Sequence, residues 1–374
     1  MHGLSDLGAA EPTSDELEHI VARSLGVTEV TLESVEVETV DYSLDTMTTG
    51  GRFWVHGAAR VGDRSEPFRI FVKIAQSVAR SPVIAMIPPQ FQDQVISTLP
   101  WQIEPNAYRS TLAASVPTPM RLPRCFDVID LDDESAAMWL ESVDHDDSAW
   151  DVDRYGRAAR MLGAFAADRT VAAIDAGLKH PVGPQQSRYY FEGRLAGQFV
   201  GPFHTDEFWS HPLAAPAIDL RPRLLSLVDD IPALLDESER LPLLNAHGDA
   251  CPQNLLPSGD GFVVIDWGFW TTAALAFDLT QLVISEIQLG LRPGTELPEI
   301  RSICLDGYRD GLADNGIEVS SAELSRAHAI QAAIAGAITA LPIELFDEPV
   351  TPELESLAAS RAESARILLD AVSF

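Results

Sequence analysis

The chain has 374 residues, a hydrophobic fraction of 46% and a formal net charge of -30, enough apolar material for one large two-lobed domain or two ordinary ones. That acidity disfavours nucleic acid and anionic lipid as partners, and no apolar run reaches the roughly 18–20 residues that span a bilayer. Cys125, Cys251 and Cys304 are widely spaced and imply neither a disulfide framework nor a zinc site. The N-terminal stretch lacks the basic flank and apolar run of a secretion signal, so a cytoplasmic protein is expected. Thr13-Ser14-Asp15-Glu16 has capping-box spacing, and Leu17, Ile20, Val21 and Leu25 share one face, so a helix is predicted that stops at Gly26. Residues 28–75 change period: Val35 and Val37, then Phe53, Val55 and Val61, then Phe68, Ile70 and Val72 read as strands. Residues 91–113 read as helix broken by Pro100 and Pro105, and 128–143 return to strand.

From Asp151 onward the pattern is mainly helical, with stretches near 221–238, 273–290, 297–314, 320–341 and 352–371. One hairpin interrupts it: Asn254-Leu255-Leu256-Pro257, a Ser-Gly-Asp-Gly turn, then Phe262 to Asp266. The expected organisation is an α+β chain, with a β-rich lobe over residues 1–143 and a helical lobe over 144–374.

The chemistry concentrates in His247-Gly248-Asp249-Ala250-Cys251-Pro252-Gln253-Asn254, followed twelve residues later by Asp266-Trp267-Gly268. Phosphoryl transfer asks a protein to position groups and neutralise charge. It needs a carboxylate near the attacking hydroxyl and oxygen ligands that hold Mg²⁺ against the phosphates. Asp249 and Asn254 supply one of each, and the hairpin returns Asp266 as a further oxygen donor. Alone, a His-Gly-Asp loop is a common structural sequence and an Asp after an apolar strand can simply cap a turn. The conjunction is more specific, because asparagine occurs only at 106, 245, 254 and 315.

In these residues the sequence resembles the aminoglycoside phosphotransferase and choline kinase-like family, small-molecule relatives of the protein kinases, whose loop reads H-x-D-x-x-x-x-N before a strand ending in I-D-[WF]. The resemblance implies a bilobal protein-kinase-like fold and Mg²⁺-dependent transfer of the γ-phosphate of ATP or GTP to a small hydroxylated acceptor. It implies Asp249 as catalytic base, Asn254 and Asp266 as Mg²⁺ ligands, His247 as a brace of the loop, and Asp278 as a support that holds the loop by hydrogen bonds. Lys73, one of only two lysines, lies on an apolar strand from which it can reach the α- and β-phosphates, and Glu104 is the carboxylate expected to aim it. Thr46, Thr48 and Thr49 fall where a phosphate-covering turn should lie. Met138–Val143 resembles the strand entering the interlobe hinge, whose backbone at Glu141 and Val143 would meet a purine. The acceptor is expected against 185–215, which is rich in aromatics, or 285–347, which carries Glu286, Asp306, Asp310, Glu344 and Asp347. The competing readings are an inactive nucleotide-binding relative and a protein kinase. Gly248, where protein kinases usually carry Arg, and the absence of an evident A-P-E segment stand against the second.

Overall fold

The structure, a computed structural model, describes residues 3–40, 47–99, 101–178 and 186–372. Contacts divide the chain into two units: Met1–Ser115 with Arg121–His145 and Val263–Gly268, and Val116–Met120 with Asp146–Phe262 and Phe269–Phe374.

The first unit is built on a five-stranded sheet. Strands β1 (Thr31–Thr39), β2 (Thr49–Val61) and β3 (Arg64–Gln76) form an antiparallel meander. After the two-residue strand β4 (Met120–Arg121), β5 (Cys125–Asp132) and β6 (Ser135–Glu141) complete the order β1-β2-β3-β6-β5. The central position of β3 explains its composition. Phe68, Ile70 and Val72 alternate inward onto a core shared with Val55, Trp139 and the helix Ser14–Leu25. That helix starts as its sequence predicts, with Thr13 and Glu16 capping each other reciprocally. The helix Ile103–Arg109 accommodates Pro105 in its first turn, where no intrahelical N–H is required.

The second unit is mostly helical. The helices Val152–Ala167 and Leu297–Asp314 pack closely because Gly163, Gly307 and Gly311 face backbone: a Cβ there would lie 2.0–2.4 Å from a carbonyl oxygen across the contact. Asn245 ties strand β7 (Leu243–Ala246) to the end of the first of these helices, its amide donating to the carbonyls of Phe165 and Asp168 at 2.9 and 2.8 Å.

The expected hairpin is present as β8 (Leu255–Ser258) and β9 (Gly261–Val264). The helix expected over 273–290 starts later, at Phe277, because Thr271–Ala274 is strand β10, paired antiparallel with β7. The stretch near 320–341 is α-helical only over Ser321–Gln331 and continues as a π-helical segment, Ala332–Ala337. Among the described residues no helix is long and apolar enough to cross a membrane.

Candidate active site

In the first unit, β3 carries Lys73 on the face opposite Phe68, Ile70 and Val72, and its ammonium is buried between two carboxylates: Glu104 Oε2 at 2.6 Å and Asp266 Oδ1 at 2.9 Å. Glu104 comes from the start of the helix Ile103–Arg109 and is itself buried. Burial works against the charged ammonium, but Asp266 and Glu104 outweigh it and hold the Lys73 pKa above the ordinary lysine value. Asp266 follows β9 with a left-handed backbone, φ 61°. A non-glycine residue held in that region marks local strain of the kind stored at functional sites. The sequence pairs Lys73 with Glu104; the contact to Asp266 is added by the structure.

In the second unit, the loop after β7 is fixed from below. Asp278, at the start of the helix Phe277–Gln288, accepts the backbone N–H of His247 at 2.8 Å and of Gly248 at 2.9 Å. Burial is the main force on the Asp278 carboxyl and pushes its pKa up to about 6, against the two N–H donors and with the Asp249 charge. His247 is fully buried, and its Nδ1 accepts the Asp249 N–H at 3.3 Å. Asn254 closes the loop, its amide nitrogen donating to the Asp249 carbonyl at 2.8 Å and to Asp249 Oδ2 at 3.0 Å.

Gly248 is required here for two reasons that sequence reasoning misses. Its φ is 89°, and a Cβ would stand 2.1 Å from the carbonyl oxygen of Phe269. The signal is weak in sequence, because only the fold brings residue 269 against the loop.

The remaining candidates are less concentrated. Thr46 lies outside the described residues. Thr48 accepts the Gln76 N–H through its carbonyl at 2.9 Å, and Thr49 opens β2. Glu141 ends β6, with its side chain held by Arg121 at 2.7 Å and by the Arg124 N–H at 2.9 Å. The side chain is therefore committed to its own unit, and the Val143 carbonyl meets the His145 ring at 3.2 Å.

In the segments expected to meet an acceptor, Phe199, Phe203, Phe208 and Trp209 are buried as core. Three of the five carboxylates are neutralised by arginine: Glu286 by Arg292, Asp306 by Arg309 and Glu344 by Arg361.

Oxygen donors suited to a hard cation are present in both units. The amide nitrogen of Asn254 is engaged with Asp249, which leaves its carbonyl oxygen as the donor atom toward a cation, and Asp266 offers a carboxylate. Among the described residues no group of three or more His, Cys, Asp or Glu side chains is placed to hold a metal.

The model of the phosphotransferase enzyme family (APH) matches residues 107–311, more than half of the chain. The match contains His247, Asp249, Asn254, Asp266 and Asp278 and begins after Lys73 and Glu104. No curated protein matches the chain in sequence. Among solved structures, the chain is similar to a provisionally assigned aminoglycoside phosphotransferase from Ralstonia eutropha, with 15% identity, 91% of this chain and 94% of that one covered, and a TM-score of 0.52. A spectinomycin phosphotransferase in complex with ADP and spectinomycin aligns at 14% identity over 94% and 99% of the two chains, TM-score 0.46. A choline kinase from Cryptosporidium parvum aligns at 13% over 89% and 88%, TM-score 0.47. The fold is α+β, of the bilobal protein-kinase-like class. With its matched segment covering the loop, the hairpin and the helices that support them, the chain belongs to the phosphotransferase enzyme family.

Proposed function

We propose that the protein transfers the γ-phosphate of ATP or GTP to a hydroxyl of a small molecule. The observation that carries this reading is the buried Lys73 ammonium held between Glu104 and Asp266. A lysine fixed at this point of a central strand is a pre-aimed cation for phosphate oxygens, and the two carboxylates keep it charged at neutral pH. Asp249 is the general base: it accepts the proton of the acceptor hydroxyl as that oxygen attacks phosphorus. Its orientation is supported by the Asn254 amide on its carboxylate and by Asp278 beneath the loop. Asn254 and Asp266 would hold Mg²⁺, which when bound draws charge from the phosphate oxygens. Thr48 and Thr49 would line the phosphate-covering turn, and the backbone at Glu141 and Val143 would receive the base.

The arginine pairing of Glu286, Asp306 and Glu344 removes most of the acidic character that would select a cationic acceptor. The acceptor class is accordingly a hydroxylated small molecule, with no requirement for positive charge. A mass-spectrometric screen with ATP and GTP over aminoglycosides, sugars, amino alcohols and macrolides tests the reading. A gain of one phosphate on any acceptor supports it; none on any acceptor, with nucleotide binding intact, would favour an inactive relative.

A further inference from the structure

Between the helices Leu297–Asp314 and Ser321–Gln331 lies a cavity of about 340 Å³, with Arg301, Ser302, Asp306, Arg309, Ser321 and Ser325 in its wall. Most arginines of this acidic chain sit within 4 Å of a carboxylate, but Arg301 has no carboxylate partner at that distance among the described residues. Its guanidinium is nevertheless fixed. Nε donates to Nδ1 of the fully buried His328 at 3.2 Å, and Nη2 donates to Ser325 Oγ at 3.0 Å and to the Ser325 carbonyl at 3.3 Å. His328 can accept because burial, and then the neighbouring Arg301 charge, push its pKa down to about 3 and keep the imidazole neutral. Among the described residues this leaves Nη1, with two N–H groups, without a hydrogen-bond partner.

The other walls add donors. The helix Ser321–Gln331 begins here, capped by Ser320 onto Glu323, so the N–H groups of Ser321 and Ala322 have no intrahelical acceptor. The Ser321 hydroxyl accepts from Arg309, and that of Ser325 accepts from Arg301, so each hydroxyl proton points elsewhere as a donor. Asp306 neutralises Arg309 at 3.0 Å, and Glu323 is occupied by its own cap. Arg301 is therefore the uncompensated charge. The donors outnumber what the two oxygens of a carboxylate can accept and suit a tetrahedral oxyanion.

We propose that this cavity is a binding site for a phosphate group, either inorganic phosphate or the phosphoryl end of a small phosphomonoester, separate from the loop and from Lys73. The test is calorimetric titration of the full chain, saturated with ADP, with inorganic phosphate, with a small phosphomonoester such as glycerol 3-phosphate, and with acetate. Saturable binding of phosphate or the phosphomonoester, with acetate weaker, is expected, and the two phosphate arms distinguish free ion from ester. Arg301→Gln is expected to weaken binding about tenfold or more, as for loss of a charged hydrogen bond. Ala322→Asp is the companion variant: it sets a carboxylate against the site where a helix start tolerates one well, so its loss of binding is not a folding defect. No saturable binding by the wild-type chain, acetate binding as tightly as phosphate, or binding unchanged in both variants would overturn the proposal. The outcome does not depend on the phosphotransfer reading, because Arg301 and Ala322 lie in the wall of this cavity and neither variant alters Lys73 or Asp249, so phosphate bound elsewhere is left unchanged by both.

Discussion

At the scale of single residues, Asp249, Gly248 and Asp278 make the most direct demands. Asp249→Asn keeps an oxygen toward Asn254 but removes the carboxylate proposed as the base. Turnover is expected to fall by about 10²–10⁴-fold while nucleotide affinity, read by calorimetry, stays within error; full turnover by the variant would remove Asp249 from the base role. Gly248→Ala must place a Cβ 2.1 Å from the Phe269 carbonyl in a left-handed backbone. The strain alone is about 1–3 kcal/mol, and the clash displaces the neighbour of Asp249, so denaturant midpoint and turnover should fall together. Asp278 carries a pH signature. In the folded chain it titrates near 6 against an ordinary 3.8, so between those values the native state binds the extra proton. Its contribution is fully present below about pH 4 and is lost as pH rises to about 6, a change of about 3 kcal/mol at ~1.4 kcal/mol per unit. Asp278→Asn cannot titrate, so wild type minus variant stability, from chemical denaturation, should shrink as pH rises through that window. A difference that grows instead would show that the two N–H donors outweigh burial.

At the scale of elements, the helix Ser14–Leu25 offers a clean measurement. Thr13→Ala removes the side chain that accepts the Glu16 N–H and should lower stability by about 1 kcal/mol, Thr13→Ser recovering most of it; turnover should not change. That helix, and the helices Arg221–Ser238 and Leu297–Asp314, are legible in the sequence because long amphipathic runs with caps and proline starts declare themselves. The strands β7 and β10 are not. Each is four residues long, and Thr271-Thr272-Ala273-Ala274 has no alternation, so the pairing partner 25 or so residues away decides its conformation. The candidate site divides in the same way. His247, Asp249, Asn254 and Asp266 stand out because their spacing is local, and Lys73 because lysine is scarce. The Asp266 contact to Lys73, the carbonyl of Phe269 over Gly248 and the arginine partner of Glu344 are long-range facts that no local pattern encodes.

At the scale of the whole molecule, the net charge of -30 sets up a contest between two salt effects. Exposed ion pairs such as Arg160–Asp314 weaken with salt but contribute only about 0–1 kcal/mol each. Repulsion among the excess carboxylates is summed over the surface and is screened over about 10 Å at 0.1 M salt. Screening of repulsion is the larger effect, so the melting midpoint should rise as NaCl is raised from low to moderate concentration. A falling midpoint would mean that the arginine pairs dominate. The first unit is also discontinuous, since Val263–Gly268 belongs to it although more than a hundred residues of the other unit intervene in sequence. Asp266 arrives on that segment, so any fragment ending near residue 145 would retain Lys73 with Glu104 but forfeit its second carboxylate. The first unit is therefore not a detachable module, and a gene cut at that junction would need the distant hexapeptide supplied back in trans to restore the lysine's full electrostatic cage.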